Sequence, residues 1–119
     1  MAASSEVAFR VAAALGASLV ALGAFGAHGL SDILEANDTA AIWQTAVFYH
    51  AIHTVALLAL ALAAWASRLL TGLWLGGVIV FSGSLYLLAV TDIRWLGAIT
   101  PIGGVALLAG WIVLLFSRR

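Results

Sequence analysis

Four apolar runs, each long enough to cross a bilayer, constrain this chain more than any other feature of its sequence. They cover approximately residues 9–30, 46–66, 69–91 and 95–116, and an α-helix needs about 20 apolar residues to cross the hydrocarbon core. A water-soluble protein of 119 residues, 65% of them hydrophobic and 8% charged, could not cover its surface with polar groups. The sequence therefore predicts an all-α membrane protein that forms a single transmembrane domain over residues 1–119.

The breaks between these runs determine the topology. They are short, so consecutive helices must be antiparallel, which predicts an up-down-up-down four-helix bundle. The longest break, residues 31–44, contains Asp32, Glu35 and Asp38. Ser31 followed by two carboxylates is typical of a helix start, where negative charge favours the helix dipole. We therefore predict a short interfacial helix in this segment.

The arginines indicate an orientation in the membrane. Arg10, Arg68, Arg118 and Arg119 fall on one side of the predicted bundle, and Arg94 alone falls on the other. Positively charged flanks of membrane spans stay in the cytoplasm. The sequence therefore predicts that both termini are cytoplasmic and that the acidic first loop lies outside.

Several classes of function find no support in the residues. Net charge is zero and lysine is absent, so there is no basic patch for a nucleic-acid partner. Without cysteine there is no disulfide, thiolate nucleophile or cysteine-bound metal. The sequence also has no Gly-x-Ser-x-Gly turn, His-Glu-x-x-His motif or phosphate-binding loop. We predict neither a catalytic residue nor a cofactor.

Glycines are concentrated in the spans, where small residues let two helices approach closely. The interpretation that we favour is that they pack the four helices of one protomer together. The alternative is that one stripe, such as Gly72-x-x-x-Gly76, pairs two protomers. The predicted packing positions are Gly16, Gly23, Gly26, Gly72, Gly76, Gly83, Gly103 and Gly104.

Polar residues of the spans are concentrated in the half of the membrane nearest the first loop. Polar groups in lipid are costly unless they face one another or water, which makes such a layer a candidate functional site. We expect one connected cluster centred on His28 and His53, with Tyr86 and Thr100 closing it. The full candidate set is His28, Tyr49, His50, His53, Ser82, Ser84, Tyr86 and Thr100.

Three interpretations of this layer remain open. The first is plain hydrogen bonding between helices, and the second is a pocket for a small ligand, lipid or quinone. The third is a metal or haem site on His28, His50 and His53, because neutral imidazoles bind such ions. Pro101, which should kink the fourth span, is compatible with packing or with a transport site.

The same residues resemble a known family. Residues 23–30 (GAFGAHGL), 43–49 (WQTAVFY), 81–86 (FSGSLY) and 100–104 (TPIGG) are similar to small bacterial inner-membrane proteins of domain of unknown function 423. The resemblance implies a four-helix inner-membrane protein without an assigned activity. It also implies glutamine at the position of His50, so a metal site on three histidines would not be shared by the family.

Our leading functional hypothesis is a non-enzymatic protein whose only certain partner is the lipid bilayer. It would act as an accessory or assembly subunit of a larger inner-membrane complex or as a small homo-oligomer. The alternatives are a carrier or binder that uses the polar layer, and a histidine-ligated metal or haem protein.

Overall fold

Helices joined by short turns make up residues 2–118, the part of the chain that the computed structural model describes, and this part contains no β-strand. Arg119, which contributes to the predicted orientation, lies outside this range. The elements are α1 (Ala3–Ala27), α2 (Ser31–Asn37), α3 (Ala40–Leu62), α4 (Arg68–Thr91), a 3-10 helix (Arg94–Ala98) and α5 (Thr100–Leu115). Four segments are long and apolar enough to cross a membrane, as predicted: α1, α3, α4, and a fourth that joins the 3-10 helix to α5.

Helix boundaries differ from the predicted ones near the first loop. The predicted short helix is present as α2, but it ends at Asn37. Asp38 then adopts a left-handed conformation (φ 54°) and turns the chain directly into α3. The second half of segment 31–44 therefore belongs to a spanning helix, which corrects the prediction that the whole segment is interfacial. Helix α1 also begins at Ala3 rather than near residue 9.

The fourth span is divided rather than kinked. The 3-10 helix ends at Ala98, and α5 begins at Thr100 with Pro101 in its first turn. A proline is well tolerated there because the first amides of a helix have no partner within the helix. Pro101 therefore starts a helix, which corrects the expectation of a kink inside a continuous one.

Helix α4 is the centre of the fold, because it contacts every other element. The four spans are antiparallel, as predicted, but they form an open layer whose principal extents are 49 × 26 × 16 Å. Helices α1 and α5 occupy opposite edges of this layer. Within residues 2–118, no Cα atom of α5 lies within 8 Å of one in α1 or α3.

The closest packing in the layer depends on four glycines. A Cβ atom on Gly103 would lie 2.8 Å from the Cα atom of Phe81 and 2.9 Å from the carbonyl oxygen of Gly77. A Cβ on Gly77 would lie 2.8 Å from Cγ of Leu107. Cβ atoms on Gly26 and Gly110 would overlap the indole rings of tryptophans, as described below. Gly26 and Gly103 are among the predicted packing positions, and Gly77 and Gly110 make equally close contacts that were not predicted.

The other predicted glycines behave differently. Added Cβ atoms on Gly16 and Gly104 would make ordinary van der Waals contacts, at 3.7 and 3.6 Å. Four further positions would have nothing within 4 Å, so the prediction that they pack helices of one protomer is wrong. Their outward orientation could not be read from residue type, because glycine marks a permissible close approach and not its direction. These positions are Gly23, Gly72, Gly76 and Gly83.

Two adjacent glycines test the α4–α5 contact. We expect Gly103→Ala to lower the free energy of unfolding by about 1–3 kcal/mol, because the new methyl group would overlap the backbone of α4. Gly104→Ala is the matched control, since its methyl group would meet only the Phe81 ring, and its better helix propensity is worth up to ~1 kcal/mol. Unfolding in mixed micelles, followed by tryptophan fluorescence, measures both. Equal destabilisation by the two variants would contradict this packing.

Candidate functional site

His50 forms the first of two polar networks, which joins α3 to α1 and α4. Its Nε2 atom lies 2.9 Å from the carbonyl oxygen of Leu15, and its Nδ1 atom lies 2.9 Å from the hydroxyl of Tyr86. Because a carbonyl oxygen can only accept, Nε2 carries the proton and donates it, and the Tyr86 hydroxyl donates to Nδ1. Ser18 lies 3.3 Å from Nε2 and donates to the same Leu15 oxygen. His50 is therefore a neutral imidazole with both nitrogens bonded.

His53 forms the second network, which joins α3 to α5. The indole N–H of Trp111 donates to Nε2 of His53 over 2.9 Å. Since an indole nitrogen can only donate, Nε2 must be unprotonated, and Nδ1–H donates to the carbonyl oxygen of Tyr49 at 2.8 Å. The edge of the Trp74 ring system also packs near the imidazole, with centroids 5.3 Å apart. His53 is thus also neutral and fully hydrogen-bonded.

Two further polar contacts hold α4 to its neighbours at the same level. The Ser82 hydroxyl donates to the carbonyl oxygen of Ala46 in α3 at 2.7 Å. Ser84 and Thr100 share a hydrogen bond of 2.6 Å between α4 and α5, and Ser84 also donates to the Phe81 carbonyl. These buried hydroxyls satisfy each other or the backbone.

The predicted single cluster centred on His28 and His53 does not form. His28 is exposed. It is the C-terminal cap of α1, which ends at Ala27, so it lies beyond the last turn of that helix. Tyr49 is 39% exposed and packs its ring 4.6 Å from that of Phe81. Within the described chain, no side-chain hydrogen bond links the networks of His50 and His53. The layer consists instead of separate contacts between pairs of helices.

The separation follows from the geometry of α3. His50 and His53 are three residues apart, which places their side chains about 60° apart around a helix of 3.6 residues per turn. That angle is enough to turn His50 towards Leu15 and Tyr86, and His53 towards the tryptophans. Spacing along one helix predicts a shared side but not a shared partner.

The geometry does not support the metal interpretation. The three histidines are not brought together, because His28 lies outside both networks. The nitrogens of His50 and His53 are already engaged in hydrogen bonds. Among the described residues, no group of three or more histidine, aspartate or glutamate side chains could hold a metal ion.

Sequence reasoning missed the tryptophans that organise this layer. Trp43 and Trp74 are 2% and 0% exposed, and their indoles lie over Gly26 and Gly110, where a side chain would overlap them. Trp74 donates to the carbonyl oxygen of Leu107 at 3.1 Å. Trp43 packs 4.6 Å from Tyr86, but its indole N–H is buried without a partner among the described residues. The available signal was Trp43 near the start of α3 and Trp74 within α4, each next to a helix that contains glycines.

The residues that attach α2 were also missed. Thr39 donates to the carbonyl oxygen of Ala89 at 2.6 Å, and the Asn37 amide donates to Ala89 and Val90 at 3.1 Å each. The last carbonyls of a helix have no partner within it, so these side chains complete the end of α4. Arg94 in turn donates to the carbonyl oxygen of Asn37. The first loop is therefore fixed to the end of α4.

The hydrogen bond from Tyr86 to His50 can be tested with a matched pair of tyrosines. We expect Tyr86→Phe to lower the free energy of unfolding by about 1–3 kcal/mol, because it leaves a buried imidazole nitrogen unpaired. Tyr49→Phe should change it by less than about 0.5 kcal/mol, since the exposed Tyr49 hydroxyl has no partner within the described chain. Detergent unfolding titrations compare the two. A larger loss for Tyr49→Phe would contradict the assigned bonding.

Comparison with known proteins places this geometry in a family. Residues 22–104 match the family described as protein of unknown function DUF423. The chain is 44% identical over 115 residues to a UPF0382 membrane protein of Staphylococcus epidermidis, covering 92% of this chain and 93% of the relative. It is 49% identical over 102 residues to a UPF0382 membrane protein of Haemophilus influenzae, covering 82% of each.

A third relative adds a location. The UPF0382 inner membrane protein YgdD of Escherichia coli is 44% identical over 113 residues, covering 87% of this chain and 82% of the relative. No solved structure matches the chain significantly. The resemblance read from the motifs is confirmed, and this chain belongs to the DUF423 family of membrane proteins.

Proposed function

We propose that this protein is a non-enzymatic membrane protein that functions by association, and that it pairs with a second copy of itself through one face of α4. That face, here called the glycine face, is a stripe of α4 whose residues are exposed or only partly buried within the protomer. It contains Leu69, Gly72, Gly76, Ile79, Gly83 and Leu87.

The single observation that carries the proposal is that three residues of this stripe are glycines with open space around them. Gly72, Gly76 and Gly83 have no atom within 4 Å of an added Cβ. Glycine costs about 1 kcal/mol relative to alanine inside a helix, so three of them need a compensating role. The packing of the protomer supplies none. Close approach of another transmembrane helix would supply one.

The shape of the glycine face suits a symmetric partner. Ile79 projects from it, 59% exposed, between the small residues Gly76 and Gly83. In a two-fold pair the same patch meets itself, so a projecting residue next to open positions is what self-complementarity needs. Gly83 also continues into a groove of about 410 Å³ between α4 and the 3-10 helix, whose walls include Leu96 and Ile99. A neighbouring helix could bury this apolar groove.

The polar layer supports the same class of function. Its buried imidazoles and hydroxyls are hydrogen-bonded within the protein, so the buried part of the layer stabilises helix contacts and leaves little bonding capacity for a ligand. A carrier or a metal protein would need such capacity. No specific contact in the layer favours these two alternatives over association.

The absence of cysteine permits a direct test of the pairing. We expect Ile79→Cys to form a disulfide-linked dimer in native membranes treated with copper phenanthroline, since two-fold pairing places the two thiols near each other. Val55→Cys is the matched control, because Val55 is 65% exposed on α3, away from the glycine face. Adding Gly76→Leu to Ile79→Cys should lower the dimer yield about tenfold by separating the helices.

Each result of this experiment has a defined meaning. Equal cross-linking at residues 55 and 79 would overturn the pairing, as would a yield at residue 79 that is insensitive to Gly76→Leu. If a photo-reactive residue at position 79 instead joins the chain to a different membrane protein, with the same dependence on Gly76, the second copy is the wrong partner. The protein would then act as an accessory subunit of a larger complex and not as a homodimer.

The orientation in the inner membrane is a further part of the proposal. We expect both termini in the cytoplasm, because Arg10, Arg68 and Arg118 lie at the end of the layer that carries the termini. Alkaline phosphatase fused after residue 119 or within α2 would measure this orientation, and we expect enzyme activity only from the fusion within α2. Periplasmic activity from the C-terminal fusion would contradict the orientation and leave the helix packing unaffected.

A further inference from the structure

A small polar cavity lies where three segments meet at the end of the layer that carries the termini. Its walls come from the start of α1, the loop between α3 and α4, and the tail after α5, and its volume is about 270 Å³. The polar side chains around it are Ser4, Ser67, Ser117 and Arg118, beside Trp65. This differs from the groove on α4, whose walls are almost wholly apolar.

The groups around this cavity are suited to an anion. Arg118 supplies a positive charge, and none of the described residues that line the cavity carries a carboxylate. The Ser67 oxygen accepts a hydrogen bond from the Leu70 amide at 3.1 Å, which leaves its hydroxyl hydrogen free to donate outward. Ser4 makes no side-chain hydrogen bond within the described chain and can donate as well. Ser117 is different, because its hydrogen is used by the Val113 carbonyl.

The depth of the cavity narrows the class of anion. It lies between the end of α3 at Leu62 and the start of α4 at Arg68, where both helices leave the apolar layer. Trp65 is in the same loop, and tryptophan is enriched at the level of lipid headgroups. The nearest acidic residue along α1, Glu6, pairs with Arg10 at 3.3 Å. An arginine with hydroxyl donors at this depth matches a phosphate group.

We propose that this cavity binds the phosphate of an anionic phospholipid headgroup. Arg118 holds the charge, and the hydroxyls of Ser4 and Ser67 donate to the phosphate oxygens. The bound lipid would join the start of α1, the loop before α4 and the C-terminal tail. This site is at the opposite end of α4 from the groove near Gly83, so it does not depend on the proposed pairing.

Two variants test the site on the full-length protein. In nanodiscs of phosphatidylcholine with a minor share of phosphatidylglycerol, native mass spectrometry should show one phosphatidylglycerol retained per chain. We expect Arg118→Gln to lower that retention about fivefold, the effect of removing one basic residue at a membrane surface. Ser67→Asp should abolish it, because aspartate still caps α4 but repels a phosphate. Arg10→Gln removes an arginine outside the cavity and should leave retention unchanged.

A competition experiment identifies the source of the phosphate. If inorganic phosphate displaces the lipid from the wild-type protein, and Ser67→Asp abolishes the binding of both lipid and inorganic phosphate, the site recognises a phosphate group that the membrane lipid supplies. Retention of inorganic phosphate without lipid, with the same sensitivity to the variants, would overturn the lipid assignment. Equal retention by the wild type, Arg118→Gln and Ser67→Asp would overturn the site.

Discussion

The hydrocarbon of the bilayer offers no hydrogen-bond partners, and the rest of this structure depends on how the chain meets that constraint. The buried imidazoles are bonded through both nitrogens, and buried hydroxyls such as that of Ser82 bond to a carbonyl oxygen. Several of these bonds cross between helices: His50 reaches α1 and α4, and His53 reaches α5. The polar atoms therefore fix the rotation of α3 relative to its neighbours. Trp111 connects α5 to α3 through its hydrogen bond to His53, although the backbones of these two helices do not approach each other.

Tryptophan rings packed against glycines fill the space between neighbouring helices. The pair Trp43 and Gly26 joins α3 to α1, and the pair Trp74 and Gly110 joins α4 to α5. Of these two tryptophans, Trp74 has a hydrogen-bond partner for its indole nitrogen, and Trp43 has none among the described residues. An unpaired buried donor costs about 1–3 kcal/mol. The unpaired N–H therefore lowers the stability that burial of Trp43 contributes to the contact between α1 and α3.

Hydropathy was sufficient to predict the four spans, because in a membrane protein the length and polarity of a run are set by the bilayer. Rotation about each helix axis could not be predicted, and this explains the errors at the site. His28 lies beyond the last turn of α1, and His50 and His53, three residues apart, bond to different partners. For the same reason, Gly72 and Gly76 could be recognised as small but not as outward-facing.

The open layer gives the glycine face its significance. A central helix in a closed four-helix bundle would contact neighbours on most sides, whereas α4 contacts every other element and still keeps one stripe uncovered. Lipid could cover that stripe equally well if it consisted of leucine. Three glycines there would let a second helix approach closely, which is the basis of the proposed pairing. Since the buried side chains of the polar layer are occupied in holding one protomer together, the glycine face is the apolar surface of α4 that a second helix would fit.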